Sequence, residues 1–326
     1  MPDPVDYVAR LRAEREDAGR EETLRRDRSR RRLKRGLAGG MAAAALVGFA
    51  MWLVSSTSGE RPADEPFAAG LMPEGTWPDA WPATTDLPFR GSHAADWATD
   101  DTGIQVPDVK AVNGIPEERV FDALNRTKDF LIAANLDQAV LHGEWPTKAL
   151  KMLDAQDSAR TRLIRHLREP GAQGGDPTEM FTRFDPAELR VVDDGIRVHG
   201  RMAFGAGSEP GQLRVRADYT FVYAVGRADS VAAEPGPWGG TEEVARTVVR
   251  RQLVLDLDER AAPGKLVPVE YRRLLGNHDC LTADGFVHPY FSREAARADR
   301  PWPVVDPYDS GKDIADDRVC IVPSRT

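Results

Sequence analysis

The sequence predicts an α+β protein, with a single N-terminal transmembrane helix followed by extracytoplasmic helices packed on a curved antiparallel sheet. Three observations predict it. Residues 37–54 (LAGGMAAAALVGFAMWLV) carry no charge and follow the basic run 28–35 (RSRRRLKR). Between residues 117 and 167 the apolar side chains recur with a period near 3.6. From residue 196 to 258 that period changes to two.

The uncharged run of 18 residues, at about 1.5 Å per residue, just spans a hydrocarbon core of about 30 Å. Residues 1–35 hold 12 Lys and Arg against 8 Asp and Glu, and the rest of the chain holds 32 against 44. Nine of the early cations fall between Arg20 and Arg35. The positive-inside rule therefore expects a basic cytoplasmic tail at 1–35, a transmembrane helix at 36–58 and the bulk of the chain outside the cell membrane. A cleaved export signal is the competing reading, because Ser29 to Lys34 weakly resembles a twin-arginine signal and Ser56-Thr57-Ser58 approximates a cleavage site. Either way the main domain is expected on the far side.

Residues 59–108 are rich in proline and acid and show no apolar period, which makes them a linker or a wrapping strap. The Trp77-Pro78 and Trp81-Pro82 pairs argue against a purely solvated segment, since tryptophan is depleted in such tails. Residues 109–326 form the expected α+β domain. Pro116 before Glu117-Glu118 suits a helix start. Val120, Leu124, Leu131 and Ala134 then make one stripe of a helix expected to reach about His142. A second helical stretch opens at Pro146 and stops at Pro170-Gly171, with a polar interval at 156–162 that splits it. Ile196, Val198, Met202 and Phe204 alternate with polar residues. Leu213, Val215, Ala217, Tyr219, Phe221, Tyr223 and Val225 do the same for longer, and a third strand covers about 244–258. Asp193-Asp194-Gly195 has the composition of a hairpin turn.

The chain has two cysteines, Cys280 and Cys320, both in the part expected outside. A lone pair in an oxidising compartment is most simply one disulfide, tethering the C-terminal tail. Closing a loop of about 41 residues is worth up to roughly 4 kcal/mol in the chain-entropy model. A zinc site from His278, Asp279, Cys280 and His288 is the sharper alternative, but these residues lack the paired ligand spacing of known zinc sites.

The element order, behind one span and a short tail, resembles the NTF2-like (cystatin-like) ectodomains of bitopic envelope proteins, including conjugation and secretion subunits of the VirB8 and TcpC type. The likeness covers about residues 112–258 and rests on no diagnostic motif. The strings KDFLIAANLD (128–137), TRFDP (182–186) and ADYTFVYAV (217–225) also resemble membrane proteins of GC-rich actinobacteria, and 37 Arg against 7 Lys fits such a genome. No activity comes with either resemblance.

No GxSxG, HExxH, CxxC or glycine-rich phosphate loop occurs in the chain. The sequence therefore marks no catalytic, cofactor or metal residues, and no cofactor is expected. The collective feature is basic. Arg197, Arg201, Arg214, Arg216, Arg246 and Arg250 fall on the polar parity of their strands, so a folded sheet would show a basic face on an otherwise acidic domain. That face is either a docking surface for an anionic partner or a solvated surface paired with Asp218, Asp256 and Asp258. The expected function is a non-enzymatic scaffold or subunit of a cell-envelope assembly. A ligand-binding sensor is the alternative, and further behind it an enzyme working from an apolar pocket lined by Tyr219 and Tyr223. Expected partners are the lipid bilayer and other envelope or membrane proteins, with self-association left open and no nucleic acid.

Overall fold

The computed structural model describes residues 83–112, 114–171, 175–192, 195–228, 243–258, 262–297, 301–315 and 320–325. The candidate span, the basic tail before it and the Trp77 and Trp81 pairs lie outside the described residues. Among the described residues no helix is long and apolar enough to cross a membrane.

The fold is α+β: among the described residues, four short helices and one longer one accompany a mixed sheet. Helix α1 (Glu117–Asn135) buries Val120, Ala123, Leu124, Thr127, Phe130, Leu131 and Ala134, which three- and four-residue spacing puts on one face. It ends earlier than the periodicity suggests. Asp137 accepts a hydrogen bond from the Ala139 N–H at 3.1 Å and so caps a separate turn, α2 (Gln138–Leu141). The next stretch also divides, into α3 (Thr147–Met152) and α4 (Ser158–Arg168). Asp157 caps α4 through the Ala159 N–H at 2.7 Å, while Asp154 N–H leaves the helix to bond Leu266 O.

Four long strands form an antiparallel meander: β3 (Arg197–Ala206), β4 (Leu213–Arg227), β5 (Ala245–Leu257) and β6 (Val267–Gly276). Short β1 (Ala98–Thr99) pairs with the start of β3. Here the expected all-antiparallel sheet needs correction. The tail strand β8 (Cys320–Pro323) runs parallel to β6, and β7 (Val304–Val305) runs parallel to β8. The chain leaves β6, crosses back through α5 (Ser292–Arg297) and returns in the same direction, which only a parallel pairing accommodates. Asp193 and Asp194 of the expected hairpin turn lie outside the described residues, and the strands on either side do not pair with each other. β2 (Leu189–Val191) pairs with the far end of β4 on the edge that β3 also uses, so β2 and β3 are successive segments along one partner.

The helices, the loop 180–184 and the inward parity of the sheet make the main core, which includes Phe130, Phe181, Phe184, Tyr219, Phe221 and Tyr223. Gly200 faces Tyr219 across the ladder, and a Cβ there would meet the Tyr219 ring at 2.5 Å and Asp218 O at 2.3 Å. On the opposite face, Phe89 and Ala94 of the strap 83–97 pack on Val222, Ala224 and Val248, while Ile314 and Ile321 cover Leu274. Burial on both sides explains why β4 loses its alternation of exposure after Tyr219.

Candidate functional site

Strand alternation puts all six sequence-marked arginines on the sheet face opposite the helices, but they do not act alike. Arg214 stands directly across from Asp256 and holds it with two bonds of 2.6 Å. Arg250, 3% exposed, grips both oxygens of Asp218 at 2.9 and 2.7 Å. It also donates to the carbonyls of Asp309 and Lys312, each at 2.8 Å. Arg246 donates to Arg90 O at 2.6 Å, and the Arg197 guanidinium lies 4.5 Å from the centre of the Phe89 ring. These four tie strands to each other or to the segments lying over the sheet.

Arg201 and Arg216 differ from them. Both are exposed, and neither has a hydrogen-bond, ion-pair or ring partner among the described residues. They line one side of a groove of about 490 Å³, whose other residues include Ala203, Asp218, Gln252, Val254, Glu270, Arg272 and Asp313. Arg201 faces Asp218 and Ala203 faces Arg216 in the β3–β4 register, so the two guanidiniums stand diagonally on one face. Across the groove Arg272 pairs with Glu270 at 2.5 Å, and Gln252 donates to Asp218 at 3.1 Å and to Asp313 at 3.2 Å. The β3 side of the groove is thus positive and the β6 side carries the remaining acid. A second, smaller pocket of about 200 Å³ lies between Ile115 and Pro116 and the strand ends at Leu213 and Leu257.

The two tyrosines belong to the core. Tyr219 donates its hydroxyl proton to Gln105 O at 3.2 Å and Tyr223 to Asn135 O at 2.9 Å. Burial pushes the Tyr219 hydroxyl up to about 12 and moves Tyr223 in the same direction. Neither lines either pocket. Cys280 is bonded to Cys320, with Cα atoms 6.2 Å apart, which removes the thiolate that the zinc alternative needed. His278 Nδ1 accepts the His288 N–H at 3.0 Å, and His288 Nε2 meets Asp284 at 2.9 Å. Among the described residues no three His, Cys, Asp or Glu side chains converge as metal ligands.

Sequence reasoning overlooked a buried polar centre behind the sheet. Arg251 is wholly buried, its Nε donating to Asn135 Oδ1 at 2.5 Å, one terminal nitrogen to Thr178 O and Glu179 O at 3.0 and 2.9 Å, and the other to Thr182 Oγ1 at 3.0 Å. Burial pulls its guanidinium down to about 10. Arg273, next to it in the ladder, is also lowered by burial and bonds Asp176 at 2.6 Å. The signal was present: Arg251 sits on the same parity as Val249, Leu253 and Leu255. With neutral acceptors on four sides, Arg251 joins the end of α1 and the 176–182 turn to the sheet. Compared with known proteins, the chain matches no family model, no curated protein and no solved structure.

Proposed function

We propose that this chain is a non-enzymatic, single-pass membrane protein whose α+β domain stands outside the cytoplasm as a docking subunit of a cell-envelope assembly, with the Arg201 and Arg216 side of the groove as its contact surface. The observation that carries the reading is that these two arginines are exposed and have no partner among the described residues, while their four neighbours on the same face are engaged within the chain. A positive wall on a protein of formal charge −8 selects an anionic partner by local field. The uncharged run at 37–54 behind its basic flank supports the anchor, and the Cys280–Cys320 bond fits an oxidising compartment.

Two measurements test it. Protease added to intact protoplasts should digest the C-terminal domain and spare the tail; a domain that survives removes the topology. R201E combined with R216E should leave the fold intact, because neither side chain has a partner to lose among the described residues, and should abolish co-purification of membrane partners from the native host. Undiminished partner recovery with that double variant would remove the assignment of the surface.

A further inference from the structure

We propose that the open edge of β3 accepts an extended acidic peptide of a partner protein, which joins the sheet as an added strand and lays its carboxylates against Arg201 and Arg216. This rests on the docking reading above and specifies its chemistry.

β3 is ten residues long and pairs with β4 throughout, from Arg197 opposite Val222 to Ala206 opposite Leu213. On its other edge β1 reaches only Arg197 and Val198. From His199 to Ala206, among the described residues, no strand pairs with this edge and no backbone group there has a bond on that side. Residues 104–112 pack Val106, Val109 and Val112 against the core and take the Tyr219 hydroxyl at Gln105 O, and among the described residues they make no backbone bond to β3. Alternate N–H and C=O groups of an edge strand point outward and require water or a partner.

Edges left in solution are usually blunted by proline, a bulge or brevity. The opposite end of this sheet closes with a two-residue strand, β7. β3 has no proline, and its ladder with β4 runs without a register shift. Its inward residues Met202 and Phe204 are apolar, and a Cβ built on Gly205 meets nothing within 4 Å. Arg201 is the one charge at its centre, with Arg216 beside it on the next strand. Two copies joined edge to edge would bring four guanidiniums together, so like charge opposes self-pairing and favours a strand with acid on alternate residues. Backbone bonds would supply the added register, and the alternating carboxylates would supply selectivity.

The test uses full-length protein in detergent and fluorescent ten-residue peptides: alternating Glu and Thr, the same peptide N-methylated at its internal amides, and alternating Lys and Thr. The Glu–Thr peptide should bind and slow amide exchange at residues 199–206. N-methylation should abolish binding, R201E with R216E should weaken it about tenfold or more, and the Lys–Thr peptide should not bind. Equal binding of the N-methylated peptide would overturn strand addition, as would failure of the Glu–Thr peptide to bind, or a dimer whose 199–206 amides are already protected. If partner recovery is still lost in R201E with R216E, the docking reading survives those failures, because that assay does not depend on backbone pairing.

Discussion

His278 makes the stability of this domain depend on mildly acidic pH. It is 5% exposed, and burial drives its imidazole from the usual 6.5 down to about 4, with Arg273 and His288 adding to the fall and Asp176 and Asp279 opposing it. Its Nδ1 accepts the His288 N–H at 3.0 Å, a bond that a proton on that nitrogen would break. The unfolded chain takes up a proton near pH 6.5, whereas the folded one resists until about 4. The unfolded state therefore holds more protons across that window, and stability falls as pH drops through it. At about 1.4 kcal/mol per pH unit, the gap of about 2.5 is worth about 3.5 kcal/mol. Little is lost above pH 7 and nothing further is contributed below about pH 4. Urea unfolding of the full-length protein in detergent, followed by tryptophan fluorescence at pH 8, 7, 6 and 5, measures it. In H278Q the amide oxygen can still accept the His288 N–H but does not titrate, so the loss between pH 6.5 and 5 should largely disappear. Parallel declines in H278Q and the parent would refute the reasoning.

Two further predictions concern the interior and the tail. R251M strips bonds from Asn135, Thr182 and two carbonyls in the core while removing a buried cation; the net cost should be about 3 to 5 kcal/mol in the same urea assay, and a loss under about 1 kcal/mol would show the network to be dispensable. C280S with C320S should reduce stability by up to about 4 kcal/mol and speed amide exchange at Gly276 and Ile321, where β8 joins β6; unchanged exchange there would mean that the noncovalent contacts of the tail, including the Arg250 and Gln252 bonds to residues 309–314, hold it without the disulfide.

The antiparallel centre of the fold was legible because β3, β4 and β5 each face apolar core on one side, so their residues alternate. β6 was not. Its inward parity carries Tyr271 and Arg273 and its outward parity Leu274, so the two faces cannot be told apart by polarity. β7 and β8 are too short to show a period and depend on the disulfide and the long return from β6. The break after Asn135 was written in Asp137, a capping residue, but the apolar stripe continued across it and masked the stop. Likewise Val222, Ala224 and Val248 lie on the polar parity of their strands, and their apolar character marks where the strap 83–97 settles.

The basic face was legible as a pattern and not as a division of labour, because parity says which way a side chain points and nothing about who reaches a carboxylate first. In register Arg201 stands opposite Asp218, and from sequence the two would pair. Arg250 takes that carboxylate instead, from the next strand, with both oxygens and with its remaining donors on the 309 and 312 carbonyls. A nearly buried guanidinium gains more from the bond than an exposed one, since leaving it unpaired would strand a desolvated charge. Arg216 has no acid to contest: its cross-strand neighbours are Ala203 and Val254. The tail that Arg250 draws across the sheet is thus the reason Arg201 has no partner among the described residues, and its position beside the β3 edge is a product of how the C-terminal segment is held.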